Sequence, residues 1–446
     1  MRAANPLSES RYSSFCRRAF LAVNGGLAIG YAIVLYRDIV TPDIVLASDF
    51  TVFWSAWRLI LDGHALALYD EATQRATQHL LMGGGYFEGG LMAFLNPPHA
   101  ALATAPVGWL ADRFGEQAAF TLWTIGNLGV VALLIRALSD EWGTGSRRDR
   151  WMLAVAVLAF YPVFCALRQG QPSVLLALAV LEVYRAERAS RPWAVAGWLV
   201  VISSKPQLVP MIVLYLAARG CWRALAAAAA MMTATVTITA LALGTAIWSE
   251  YVGQVRYLEQ FWGSGTPDYM LNVRGAVLRV VGLGEHAWID PVVYAVWLMA
   301  MVLVGVLFLR RHIADAPDAR PAYAFAVAVA VLTNPHVFVH DTIIWVVPLV
   351  LCAAAMRDAG AEWSRFAQFA LVWPAVFAAA GGSLSVKYGH VPWLDPHTWL
   401  FVAATVVIGS YWGSVAQREI RLSEAASELP WRLTPYESRQ GPSPSR

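Results

Sequence analysis

The sequence predicts an all-α, polytopic membrane protein. Of its 446 residues, 58% are hydrophobic and only 14% are charged, against roughly 25% charged in an average soluble domain. The mean hydropathy of +0.50 is too apolar for a surface that faces water. Apolar runs of helical length recur along most of the chain, and a bilayer-spanning helix needs about 20 such residues.

About twelve spans can be placed. The first, Phe20–Tyr36, follows Arg11, Arg17 and Arg18. No small-residue cleavage site and soluble domain follow it, so it reads as a retained anchor rather than a signal peptide. Next come Ala118–Leu138, Trp151–Leu167, Pro172–Arg185, Pro192–Ser204 and Gln207–Ala218. Ala224–Ile247, Pro291–Leu309, Ala322–Val339, Thr342–Met356, Phe366–Gly382 and Thr398–Ala416 complete the series. Several are short for a bilayer, which is tolerated where broken backbone lines a protein-walled cavity. Ser203-Ser204-Lys205-Pro206 reads as the tip of such a hairpin. Phe94–Leu110 is apolar but holds Asn96-Pro97-Pro98-His99, which suits an interfacial or re-entrant piece.

Arginines set the sidedness, because cytoplasmic loops carry the basic excess. Arg2, Arg11, Arg17 and Arg18 precede the first span. Alternate loops then hold Arg136/Arg147/Arg148/Arg150, Arg185/Arg188/Arg191, Arg219/Arg223, Arg310/Arg311, Arg357/Arg365 and Arg418/Arg421. With twelve spans, every cluster falls on one side, and both termini are cytoplasmic. The chain thus reads as one transmembrane unit over 1–416, with long outer loops at 37–117 and 248–290. A disordered cytoplasmic tail is expected over 417–446. Phe50, Phe53, Trp54, Trp57 and Ile60 recur at helical spacing in the first outer loop, as in a helix lying in the membrane interface.

The net charge of +3 gives no case for nucleic-acid binding. Cys16, Cys165, Cys221 and Cys352 form no CxxC pair, which argues against a zinc site or disulfide framework. Eight of the nine histidines fall on or near the outer face, His312 being the exception. The two lysines, Lys205 and Lys387, also fall there, with Asp49, Arg168, His336, His340 and Asp341. Ionisable groups at membrane depth usually face a cavity or pathway. Cations meeting a few carboxylates at one level suit an anionic ligand beside a base, a lipid phosphate most of all.

Asp49 begins the apolar helix in Ser48-Asp49-Phe50-Thr51-Val52-Phe53-Trp54. It can be read as an N-cap, or as a carboxylate that takes a proton from an acceptor hydroxyl. Lys205 is either a snorkelling lysine or a phosphate contact, and Arg168 divides the same way. His340 and Asp341 are adjacent, so on a helix they would not face each other. His336 and His340 share a face only if the turn is helical, and Asn334-Pro335 argues for a break there. Two histidines without a third ligand make a metal site a weak expectation. Gly83-Gly84-Gly85 and Gly89-Gly90 mark a flexible loop or a lid. Tyr251, Tyr257, Phe261 and Trp262 suit sugar stacking or interfacial anchoring.

Several ordered stretches resemble glycosyltransferase family 87. Ser48-Asp49-Phe50 followed by Trp54, Ala56, Arg58 and Leu68-Tyr69-Asp70 resembles the family's opening pattern. Asn96-Pro97-Pro98-His99 with Ala105-Pro106 is similar to its YPP-type segment, Asn96 departing from the usual aromatic residue. Gly170-Gln171-Pro172, Lys205-Pro206-Gln207, and Asn334-Pro335-His336 through His340-Asp341 with Pro348 resemble three more; nothing past Phe366 does. The resemblance implies a C-type glycosyltransferase fold with about twelve transmembrane helices and interfacial helices in the outer loops. It implies transfer of a hexose, commonly mannose, from a polyprenyl-phosphate carrier to a glycolipid or glycan acceptor. The setting would be the outer face of a bacterial inner membrane. Asp49 takes the place of the catalytic base in an inverting displacement. Lys205, His340, Arg168 and His336 are the expected donor-phosphate contacts; Asp341, Gln171, His99 and Lys387 are the expected substrate contacts. No metal or other cofactor is expected.

Overall fold

The computed structural model describes residues 6–85, 91–143, 146–261, 270–281, 288–311, 313–359, 373 and 396–428. Among these, six helices are long and apolar enough to cross a membrane, seven if one bent pair counts as a single span. The chain is therefore an all-helical, polytopic membrane protein. The span expected at Phe366–Gly382, Lys387, and the glycine-flanked Tyr86-Phe87-Glu88 lie outside the described residues.

Helix α1 (Pro6–Ile39) leads into α2 (Asp49–Leu61). The apolar spacing of α2 was expected to lay it in the membrane interface. Phe50 through Trp57 are all buried within the protein. Helix α3 (Pro98–Phe114) covers it, and the two pack closely because residue 108 is glycine. A Cβ there would fall 2.4 Å from the Cβ of Trp57. With Phe94, Phe120 and Ile247, these helices form an apolar core separate from the main bundle.

The bundle proper starts with α4 (Glu116–Trp142). Helices α5 (Arg147–Ala159) and α6 (Tyr161–Gln169) form a consecutive pair bent by 55°. Pro162 explains the break: it has no N–H, and its ring excludes the carbonyl four residues earlier. Helix α7 (Ser173–Arg188) is buried along nearly its whole length. Helix α8 (Pro192–Ile202) and α9 (Val209–Ala218) flank the Ser203–Lys205 turn as a hairpin. At 1.5 Å per residue, α8 is only about 16 Å long, shorter than the hydrocarbon layer of about 30 Å. It packs between α7 and α10 (Trp222–Leu243).

Helix α11 (Val273–Val281) lies in the second long loop, before α12 (Ile289–Arg310). Helix α13 (Arg320–Thr333) stops short of the expected Val339, because Asn334 precedes a proline and adopts extended backbone. A 3-10 stretch, Val339–Trp345, runs into α14 (Val346–Asp358). Helix α15 (Pro396–Glu428) continues past Ala416, so helix replaces the first part of the expected disordered tail.

Polar contacts gather at two ends of this bundle. At one end, Arg185 and Arg188 of α7 meet Asp140 and Glu141 of α4 at 3.2 and 3.1 Å. There too, Arg219 after α9 meets Glu187 at 3.2 Å and Arg320 meets Asp358 at 2.8 Å. At the other end, Gln117 of α4 donates to the Ile39 carbonyl at 2.9 Å. The candidate site lies at that second end.

Candidate functional site

Asp49 sits in the first turn of α2, and it is not the cap. Ser48 is the N-cap, its hydroxyl accepting from the Phe50 N–H at 3.3 Å. The Asp49 carboxylate is thus left for other partners, at the positive end of the helix. Gln171 Nε2 donates to Asp49 Oδ2 at 2.6 Å. The Asp49 N–H in turn donates to Gln169 Oε1 at 3.4 Å.

A glycine permits this clamp. Gly170 closes α6 with φ +67°, where a side chain would be strained, and a Cβ there would lie 2.8 Å from the Cβ of Phe50. Trp123 Nε1 donates to the Gly170 carbonyl at 2.8 Å and anchors the turn to α4. The Gln-Gly-Gln turn therefore presses directly onto the start of α2. Gln171, expected to contact substrate, holds the carboxylate instead.

His340 completes the near neighbourhood. Its Nδ1 is 4.0 Å from Asp49 Oδ2, and its Nε2 is 3.5 Å from Asp341 Oδ1. Asp341 is 1% exposed and pairs with Lys205 across the hairpin tip. It also accepts from Ser173 Oγ at 2.7 Å and from the Phe338 N–H at 3.3 Å. With that set of partners Asp341 has the position of a buried counter-ion rather than of a group facing a ligand. A file of Asp49, His340, Asp341 and Lys205 results, built from α2, the 3-10 stretch and the α8–α9 hairpin. Asp49 and Lys205 thus share one end of the bundle.

Arg168 stands beside this file and is also engaged. Its Nε bonds Asp38 Oδ2 at 2.6 Å, and Arg37 holds the other oxygen at 2.8 Å. Asp38 is 1% exposed. Sequence reasoning missed it, although its place at the end of the first span was a signal. Ser173 was missed as well, with only its proximity to Gln171 to mark it.

His336 lies in the non-helical Asn334–Phe338 link, so it does not share a helical face with His340. Burial, with the Arg274 and Lys205 charges adding, pushes its imidazole down to about 3. It is therefore neutral at physiological pH and can offer a hydrogen bond but not a charge. An unfolded histidine titrates near 6.5, so between about 6.5 and 3 the unfolded chain binds the extra proton. Folding stability is then lost as pH falls through that window. Thermal unfolding in detergent from pH 7 to 5 should show a falling midpoint, and His336→Asn should flatten the slope.

His99 is apart from the Asp49 file. Its Nε2 is 3.2 Å from Ser203 Oγ, and its ring stacks near Trp248 at 6.1 Å between centroids. Tyr251 packs against Tyr69 at 5.5 Å. The side chains of Tyr257, Phe261 and Trp262 lie outside the described residues. Among the described residues, no three His, Cys, Asp or Glu side chains are grouped to hold a metal ion.

The model of glycosyltransferase family 87 matches residues 94–339, more than half of the chain. The chain belongs to glycosyltransferase family 87. Two relatives from Mycolicibacterium smegmatis (strain ATCC 700084 / mc(2)155) are similar to this family member. One is a polyprenol-phosphate-mannose-dependent alpha-(1-2)-phosphatidylinositol pentamannoside mannosyltransferase, 26% identical over 299 residues. That match covers 64% of this chain and 69% of the relative. The other is a polyprenol-phosphate-mannose-dependent alpha-(1-2)-phosphatidylinositol mannoside mannosyltransferase, 27% identical over 370 residues. It covers 75% of this chain and 78% of the relative. No solved structure matches. The family segment contains Gln171 and Lys205, while Asp49 precedes it and His340 follows it by one residue.

Proposed function

We propose that this family 87 glycosyltransferase moves a hexose, mannose by likeness to its relatives, from a polyprenyl-phosphate carrier to a glycolipid or glycan acceptor. The observation that carries this reading is the Asp49 carboxylate, fixed by Gln171 at a helix N-terminus and set beside His340 and the Asp341–Lys205 pair. Both its relatives are named for a polyprenol-phosphate-mannose donor.

In the proposed reaction, Asp49 takes the proton of an acceptor hydroxyl as that oxygen attacks the anomeric carbon. The bond from that carbon to the phosphate oxygen breaks, and its electron pair leaves with polyprenyl phosphate. Attack from the face opposite the phosphate inverts the anomeric centre. A phosphate leaving group is weakly basic and needs no general acid. It does need fixed positive charge and hydrogen-bond donors, which Lys205, Arg168, His340 and neutral His336 supply. Gln171 positions Asp49, and Asp341 positions Lys205. His99 and Lys387 are assigned to the acceptor side. This chemistry requires no metal or other cofactor.

The membrane arrangement follows the same reading. We place twelve spans in a C-type fold: the six long helices and the bent pair, the shorter helices α7, α8, α9 and α13, and the span expected from the sequence at Phe366–Gly382. Both termini are then cytoplasmic, and the Asp49 end faces the outer side of a bacterial inner membrane. The test is to incubate the purified chain with labelled polyprenyl-phosphate-mannose and phosphatidylinositol-mannoside acceptors. Transfer of label to the acceptor is expected. Label that crosses a liposome bilayer without being transferred would instead make the chain a transporter.

A further inference from the structure

The link between α13 and the 3-10 stretch, and α11 beside it, each hold a buried N–H donor with no hydrogen-bond partner among the described residues. Asn334 is fully buried, and its orientation is fixed because its Oδ1 accepts from the His336 N–H at 2.9 Å. Its carbonyl accepts from Asn272 Nδ2 at 2.7 Å. The remaining amide group, Nδ2, is buried and has no hydrogen-bond partner among the described residues.

Asn272 also places a second such group. Its Oδ1 accepts from the Gly275 N–H at 2.8 Å and starts α11, which carries Arg274. Arg274 is 2% exposed and meets Asp290 through Nη2 at 2.6 Å. Its Nε is buried without a hydrogen-bond partner among the described residues. An antiparallel bridge between Met270 and Phe338 holds the two segments together. The Arg274 and Lys205 charges both bear on His336, between them. Gln207, two residues past Lys205, donates to the His336 carbonyl at 3.3 Å.

The unfilled nitrogens at this junction, Arg274 Nε and Asn334 Nδ2, are both N–H donors, while the Asp290 oxygen beside them has the Arg274 guanidinium as its ion-pair partner. Leaving a buried donor unpaired is costly, the more so for a charged group. A cation cannot accept from such groups; an anion can, and its oxygens accept from a guanidinium more strongly than a neutral hydroxyl does.

We infer that Arg274 Nε and Asn334 Nδ2, with the Lys205 ammonium alongside, form the seat for the phosphate of the lipid carrier. This inference rests on the proposed polyprenyl-phosphate donor and assigns two residues to it that the sequence did not single out. It also accounts for donors beyond Lys205. The donor phosphodiester carries one negative charge. When the bond to the anomeric carbon breaks, the electron pair passes to the phosphate, which departs as a monoester of higher charge. Neutral amide and guanidinium N–H groups stabilise that added charge without a proton transfer. Arg274 is held by Asp290 much as Lys205 is held by Asp341, so each cation is positioned by its own carboxylate.

The test uses the full chain in lipid nanodiscs and measures binding of a polyprenyl phosphate and of the uncharged polyprenol. A hydrogen bond to a charged group accounts for roughly 10- to 100-fold in affinity. Arg274→Gln and Asn334→Asp should each weaken polyprenyl-phosphate binding by about that factor and leave polyprenol binding unchanged. Arg274→Lys, which keeps the pair with Asp290, should recover part of the loss. Only variants whose thermal midpoint stays near that of the parent are compared. Phosphate-selective loss supports the seat even if no sugar is transferred from that donor. Unchanged phosphate affinity in Arg274→Gln and Asn334→Asp, with transfer still dependent on Asp49, overturns the seat and leaves the transferase reading standing. Equal loss of polyprenol and phosphate binding also overturns it, since that reports a disturbed apolar channel.

Discussion

Replacing Asp49 with asparagine should lower sugar transfer by about 10²- to 10⁴-fold, the range general-base catalysis supplies, with little change in donor binding. Asparagine keeps the shape, and its side-chain oxygen can still accept from Gln171. Ser48 rather than Asp49 caps α2, so helix capping survives. The stability lost is then chiefly the interaction of a negative charge with the helix N-terminus, about 0.3–1 kcal/mol. Activity should fall in kcat, while the donor dissociation constant and the thermal midpoint stay close to those of the parent. Single-turnover transfer and donor binding, measured on the same preparation, check this. Undiminished transfer would remove Asp49 from the mechanism. Loss of activity in proportion to loss of folded protein would make Asp49 a structural residue.

Lys205→Met should be the most destabilising change at the site. It removes the cation from Asp341, which is 1% exposed, and leaves a buried carboxylate with the Ser173 hydroxyl, the Phe338 N–H and the His340 imidazole at 3.5 Å. Breaking a buried pair on one side typically costs about 3–5 kcal/mol. A second change, Asp341→Asn, removes the stranded charge and should return most of that stability. It should not return transfer, because the ammonium proposed to meet the phosphate is still missing. Such strong non-additivity is expected of residues in direct contact. Thermal unfolding and transfer, measured on both single variants and the double, would show it. Equal destabilisation of Lys205→Met and the double variant would show that the pair does not hold the hairpin.

Hydropathy made the long spanning helices legible, because a spanning helix announces itself by local composition. The Asn334-Pro335 break was legible for the same reason, since proline acts on its immediate neighbours. Two local details could not be read from the sequence. The apolar face of α2 has the spacing of an interfacial helix, yet that spacing says nothing of what covers the face, and α3 covers it. Ser48 and Asp49 are both good caps, and only the backbone geometry separates them.

The site was legible residue by residue but not as an arrangement. Asp49, Gln171, Lys205 and His340 could each be selected by type and position. That Gln171 would hold Asp49, or that Lys205 would be tied to Asp341, depends on contacts 122 and 136 residues apart. Asp38, Ser173, Arg274 and Asn334 are ordinary residues in sequence. They acquire meaning only from burial and from the partners they have or lack.

The wide separation of these contacts also bears on how the protein comes into being. Helices inserted into a membrane one after another would place Asp49 early, in a loop with none of its neighbours yet made. Gln171 arrives after α6, Lys205 after α8, and His340 only once α13 has been threaded. Pairings of high sequence separation are slow to form, and each partner of the Asp49 carboxylate is made well after Asp49 itself. A chain halted before Asn334 could hold its early helices in the bilayer and still be inert. The proposed base can therefore be set beside His340 only after the link that carries His340 has been made.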